Sequence, residues 1–105
     1  MDFKEMVNKE VAIASKYERV KLAEINEVRR QYLKDNCRYN IGDTFTHKNR
    51  LYRVESVKPI LRDYVHIFPY NEYHVKRIFK NGREIDRIVT ICDYEFEDFV
   101  TPTMS

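Results

Sequence analysis

From Asp2 to Asn36 the chain contains neither glycine nor proline, and no other feature narrows its folding options as much. A span of that length without a helix breaker reads as helix. Asp2, with Glu5 three residues on, has the spacing of a capping box. Phe3, Met6, Val7, Ile13, Tyr17 and Val20 recur at helical spacing, and so do Leu22, Ile25, Val28, Tyr32 and Leu33. The two sets do not share one straight stripe. The apolar face drifts around residues 14–21, so the helix either wraps a curved surface or breaks near the segment ASKYE.

An unbroken helix of this span would be about 50 Å long, while the remaining residues would make a body roughly 25–30 Å across. The excess must hang in solvent, fold back or pack on a second copy. Exposed Val, Ile and Tyr disfavour the first option, so the helix is expected to contribute to an oligomer through Val20, Ile25, Val28 and Tyr32. A regular coiled coil is excluded, because Glu18 and Lys21 interrupt the seam.

Beyond the helix the period changes to two. Asn40-Ile41-Gly42-Asp43 is turn chemistry. Phe45 and His47 then alternate with Thr44 and Thr46, and Tyr52 and Val54 with Arg53 and Glu55, which predicts two strands around a Lys48-Asn49-Arg50 loop. A third strand is expected at residues 64–68, YVHIF, apolar on both faces and ended by Pro69.

Residues 73–91 carry Asn81-Gly82 between two β-branched and aromatic runs, a strong hairpin signal. A two-residue turn would place Lys76 opposite Arg87, like against like. A three-residue bulged turn places Lys76 opposite Asp86 and gathers Tyr73, Val75, Phe79, Ile85 and Val89 on one face, so the bulged turn is preferred. DYEFEDF, residues 93–99, reads as a short edge strand guarded by its acids, followed by a frayed tail.

Composition limits the class. At 105 residues the chain is expected to be a single domain over 1–105, with helix at 1–36, sheet at 40–99 and tail at 100–105. Apolar residues make up 43% and charged ones 34%, a soluble globular balance. No apolar run reaches the roughly 18 residues of a membrane helix, and a start charged from Asp2 onward is unlike a signal peptide. The expected location is cytoplasmic, with no membrane association. Cys37 and Cys92 suit a reducing compartment as buried thiols, and a disulfide between them stays open as the alternative. The net charge is only +2, yet residues 41–90 hold ten Lys/Arg against six Asp/Glu and residues 91–105 hold none against four. That asymmetry fits either a basic face for a partner or two complementary surfaces of one fold.

Catalytic readings find little purchase. Both glycines, Gly42 and Gly82, sit in turns, so no loop can cradle a phosphate. His66, Glu72 and His74 lack the spacing of a zinc site. Ser15 and Ser56 have no elbow motif, and the DYEFED carboxylates read as a solvated edge. Neither an enzyme nor a cofactor or metal is expected. The best functional signal is the second hairpin, where Lys76, Arg77, Lys80, Arg83 and Arg87 interleave with Tyr70, Tyr73 and Phe79. Cations for phosphate beside rings for bases suit single-strand binding; the plainer reading makes the rings core and the cations a solvated face.

The segment QYLKDNCRYNIGDTFTHKNRLYRVESV, residues 31–57, resembles one found in small uncharacterised proteins of phages and mobile elements of gut bacteria. Tyr32, Leu33, Tyr39, Ile41, Gly42, Asp43, Tyr52 and Val54 carry the likeness. The same segment is similar to the opening hairpin of SH3-like small barrels. The resemblance covers about a quarter of the chain, brings no functional residue, and implies a helix followed by a five-stranded barrel or bent sheet.

The expectation is therefore an α+β fold: a long or broken N-terminal helix, then a five-stranded antiparallel SH3-like barrel or bent sheet. The expected function is a non-catalytic protein-interaction module of phage or mobile-element type, self-associating through its helix as a homo-oligomer. It would meet a protein partner with Tyr70, Tyr73, Lys76, Arg77, Lys80 and Arg83. The alternative is a nucleic-acid-binding small barrel that uses the same surface.

Overall fold

The cap at Asp2 forms as its sequence suggests: its Oδ1 accepts the Glu5 N–H at 2.8 Å, one of the helix-start donors that would otherwise lack a partner. It opens α1, Phe3–Lys16, and a second helix, α2, spans Leu22–Asp35. A computed structural model describes residues 1–16 and 22–102. The chain divides into two compact units, one built from Met1–Cys37 and Leu61–Pro69, the other from Arg38–Ile60 and Tyr70–Val100.

In the first unit the broken-helix alternative is realised, and α2 runs back antiparallel along α1. The Met1 amino group meets the Asp35 carboxylate at 2.7 Å. Phe3 lies edge-on to Tyr32, with ring centroids 6.0 Å apart. Further along, Arg29 Nε donates to Glu10 Oε1 at 2.5 Å, both side chains being largely shielded from solvent. Met6, Tyr32 and Leu33 form the buried centre, flanked by Phe3, Val7, Val28 and Leu61.

Residues 61–69 also belong to this unit, tied on by the bond from Arg29 Nη1 to the Leu61 carbonyl at 2.8 Å. They form an irregular loop rather than the expected strand at 64–68. Asp63 explains why: its Oδ1 accepts the N–H groups of Val65 at 3.0 Å and His66 at 2.6 Å. Its Oδ2 meets His66 Nδ1 at 2.9 Å. A side chain that captures backbone donors locally competes with a strand ladder.

The second unit is a four-stranded antiparallel sheet in the order β1-β2-β3-β4: Thr44–His47, Arg50–Ile60, Tyr70–Ile78 and Glu84–Cys92. It is an open sheet and not a closed barrel, and it has four strands, not five. The loop between β1 and β2 is shorter than expected, only Lys48-Asn49, with both residues at positive φ and Arg50 already paired with His47. Two left-handed residues match the twist of a tight hairpin. Strand β2 runs on to Ile60, farther than its alternation predicted, past an irregularity between Val54 and Ser56. The turn before β1 is closed by Gly42, at φ +92°, whose N–H donates to the Val54 carbonyl at 2.9 Å.

The acidic C-terminal segment is not an edge strand. Asp93–Glu95 form a 3-10 turn, and Phe96 is buried among Tyr39, Phe45 and Tyr73 at centroid distances of 5.6–6.0 Å. Its burial removes a large apolar area from water, worth about 2–3 kcal/mol, and holds the segment against the sheet's face. The core of the sheet is Phe45, Tyr52, Val54, Tyr73, Val75 and Ile91, all buried, with the cross-strand pairs Phe45 to Tyr52, Val54 to Val75 and Tyr73 to Ile91.

Candidate functional site

The register of β2 on β3 pairs Leu51 with Ile78, which brings the tips of both hairpins to the same end of the sheet. At the second tip the Phe79 N–H donates to the Arg83 carbonyl at 2.7 Å and the Gly82 N–H to the Phe79 carbonyl at 2.9 Å, with Gly82 at φ +84°. This is the bulged turn the charge argument preferred, held further by Asn81 Oδ1 accepting the Arg83 N–H at 3.0 Å. The register then slips between Lys76 and Ile78, so Lys76 stands opposite Ile88 rather than Asp86. The expected ion pair still forms, diagonally, from Lys76 Nζ to Asp86 Oδ1 at 3.3 Å.

Between the two tips lies a cleft of about 940 Å³, lined by Arg50, Leu51, Arg77, Phe79, Lys80 and Arg83 among others. The Arg77 guanidinium sits 4.8 Å from the centroid of the Phe79 ring, an attraction of cation to ring quadrupole. Phe79 is 37% exposed.

Three cations of this unit outside the cleft are in ion pairs: Arg53 bonds Glu55 at 2.8 Å and also Glu84, Arg38 bonds Asp98 at 2.8 Å while covering the Phe96 ring, and Lys76 meets Asp86 at 3.3 Å. The Arg38 hydrogen bond holds Asp98 below its usual carboxylate range, and the bond to Glu55 raises the Arg53 pKa. By contrast Arg50, Arg77, Lys80 and Arg83 share one cleft and have no acidic partner among the described residues. Like charges gathered without counter-charges repel and raise the local potential, which an anion relieves.

Of the residues expected to form a binding surface, Arg77, Lys80 and Arg83 are brought together in the cleft. Lys76 is outside its lining. Tyr70 and Tyr73 are buried, at 8% and 0% exposure, so the expectation of exposed aromatics fails for both. Tyr70 packs edge-on against Tyr94 at 4.9 Å. The Tyr73 hydroxyl accepts the Arg38 N–H at 2.9 Å and donates to Asp93 Oδ1 at 2.8 Å. Asp93 Oδ2 accepts the Asn71 N–H at 2.7 Å. Burial pushes the Asp93 carboxyl above its usual range, against the pull of these two donors. The tyrosines serve the core because strand β3 is an interior strand.

Phe79 is already singled out in the sequence with the cations of its own hairpin, but Arg50 was missed: its neighbours in sequence gave no signal, and only the pairing of β2 with β3 places it beside them. Of the expected oligomer residues, Ile25 and Tyr32 are buried and Val28 is half-buried, while Val20 lies outside the described residues. The helical seam is occupied from within the chain because α1 folds alongside α2.

Among the described residues no group of three or more His, Cys, Asp or Glu side chains is placed to hold a metal ion. His66 is engaged by Asp63 and His74 by Glu72 at 3.1 Å. Burial raises the Cys92 pKa and so disfavours its thiolate. No described helix is long and apolar enough to cross a membrane. No protein-family model matches this chain, nor does any curated protein or solved structure.

Proposed function

We propose that the chain is a non-catalytic binding protein whose basic cleft takes a short single-stranded segment of nucleic acid. The observation that carries this reading is the convergence of Arg50, Arg77, Lys80 and Arg83 on one cleft without acidic partners. Four cations spaced along two hairpin tips suit successive phosphates, and the half-exposed Phe79 ring beside them suits a base.

The test is fluorescence anisotropy with labelled single-stranded RNA, single-stranded DNA and duplex DNA over a range of salt. Neutralising about four phosphates gives a log–log salt slope near −3 for a single strand. Lys80→Glu with Arg83→Glu should abolish binding, while Lys76→Ala, outside the cleft, should leave it unchanged. No binding at about 50 mM salt, where counterion release is most favourable, refutes the reading.

A second reading, a protein partner, is favoured by the loop at residues 61–69. There Tyr64, Val65 and Ile67 are 82–107% exposed on a backbone braced by Asp63. Three large apolar side chains on a braced loop suit a small protein contact. Capture of a partner lost on Tyr64→Ser with Ile67→Ser, and kept on the cleft double variant, would favour this surface.

A further inference from the structure

We propose that Arg77 and Phe79 together hold an unpaired base in the cleft, so that the ligand is a strand with free bases rather than any polyanion. This rests on the nucleic-acid reading above and divides its cations by role. Arg50, Lys80 and Arg83 remain for phosphates, while Arg77 serves the base.

The cations of the cleft are not equivalent. Lys80 and Arg83 lie at the second hairpin tip and are exposed, and Arg50 is exposed at the start of β2. Arg77 lies within β3, opposite Tyr52, and is half-buried. Its guanidinium is held over the Phe79 ring, 4.8 Å from the centroid. Both side chains line the cleft.

The contact is not needed to brace the turn. Phe79 and Arg83 are joined there by a backbone bond at 2.7 Å, Gly82 donates to the Phe79 carbonyl at 2.9 Å, and Asn81 Oδ1 accepts the Arg83 N–H at 3.0 Å. Nor do the acids that open β4 draw Arg77 away, because Glu84 is taken by Arg53 and Asp86 by Lys76. A guanidinium is flat and weakly hydrated and lies readily against π faces. Unpaired bases are held on such planes and on aromatic rings alike. Arg77 covers one face of Phe79, and the ring is still 37% exposed. A base entering the cleft meets the other ring face or the guanidinium itself. Duplex bases, already stacked and paired, cannot enter in this way.

Anisotropy over a range of salt, with short oligothymidylate and oligouridylate strands and a strand of stable abasic spacers, tests the division. The abasic strand keeps every phosphate and lacks every base. Three phosphate contacts give a log–log slope near −2 on a single strand, against near −3 for four. The wild-type chain should bind a base-bearing strand with the smaller slope, and the abasic strand roughly tenfold more weakly with the same slope. Arg77→Lys keeps the charge and Phe79→Leu keeps the apolar bulk. Each should weaken the base-bearing strand about tenfold at unchanged slope and leave the abasic strand as it was, which also shows that the variant is folded. Lys80→Gln should weaken both strands and reduce the slope by about 0.7. Equal wild-type affinity for base-bearing and abasic strands overturns the proposal without need of a variant, and leaves the nucleic-acid reading standing. A wild-type slope near −3 does the same. Binding to no strand overturns both.

Discussion

Replacing Phe96 by alanine should remove most of the stability of the sheet unit. The ring is 8% exposed and lies within 5.3–6.0 Å, centroid to centroid, of His47, Phe45, Tyr39 and Tyr73. The Arg38 guanidinium caps it at 4.4 Å. Truncating a phenylalanine in a packed core costs about 3–5 kcal/mol, because the apolar transfer term is lost and a cavity remains. Aromatic pairs add about 0.5–1.5 kcal/mol beyond area. With four ring neighbours and a cation to lose, about 4 kcal/mol is expected, a large part of the roughly 5–15 kcal/mol of a small domain. Urea denaturation followed by far-UV circular dichroism reads the change as a midpoint lowered by about 2–3 M; the chain has no tryptophan to report it by fluorescence. Val100→Ala, at a side chain 82% exposed four residues on, should change stability by no more than about 0.5 kcal/mol. A loss below about 1 kcal/mol for Phe96→Ala would mean the ring does not fill this core. The acidic segment would then be the edge strand that its sequence suggests.

Tyr73→Phe keeps the ring but leaves the Arg38 N–H and Asp93 Oδ1 each short of a partner, and should cost about 1–3 kcal/mol by the same denaturation assay. Gly82→Ala meets no atom within 4 Å but must hold φ +84°, so a loss of about 1 kcal/mol is expected, from backbone strain alone. The raised Asp93 pKa gives a signed pH dependence: its contribution to stability is full below its ordinary value of 3.8 and is lost as pH rises through the higher folded value. The stability difference between wild type and Asp93→Asn should therefore favour the wild type most in acid and shrink as pH climbs. A difference independent of pH refutes a raised Asp93 pKa.

Much of this protein was legible in its sequence because the relevant signals are local. A stretch without Gly or Pro, capped at Asp2, favours helix, and the described residues form two, Phe3–Lys16 and Leu22–Asp35. Asn81-Gly82 specifies a turn through Gly82's tolerance of positive φ; the charges around Lys76 favoured the bulged form, but the register they implied, Lys76 opposite Asp86, is displaced by a slip that puts Lys76 opposite Ile88. Three cations of the candidate cleft, Arg77, Lys80 and Arg83, were found for the same reason: they sit within one hairpin. What only the tertiary structure decided depends on residues far apart in the chain. A tyrosine has the same alternation signal whether its strand is central or at an edge, so the burial of Tyr70 and Tyr73 followed from β3 lying between β2 and β4. The apolar segment at 64–68 lost its ladder to the Asp63 side chain, and the acidic one at 93–99 was drawn off the sheet edge by Phe96. Arg50 joined the cleft through the pairing of Leu51 with Ile78 across a nine-residue loop. Local chemistry determines which elements form; which faces they bury, and which cations end up side by side, is set by register and packing that no short window of sequence contains.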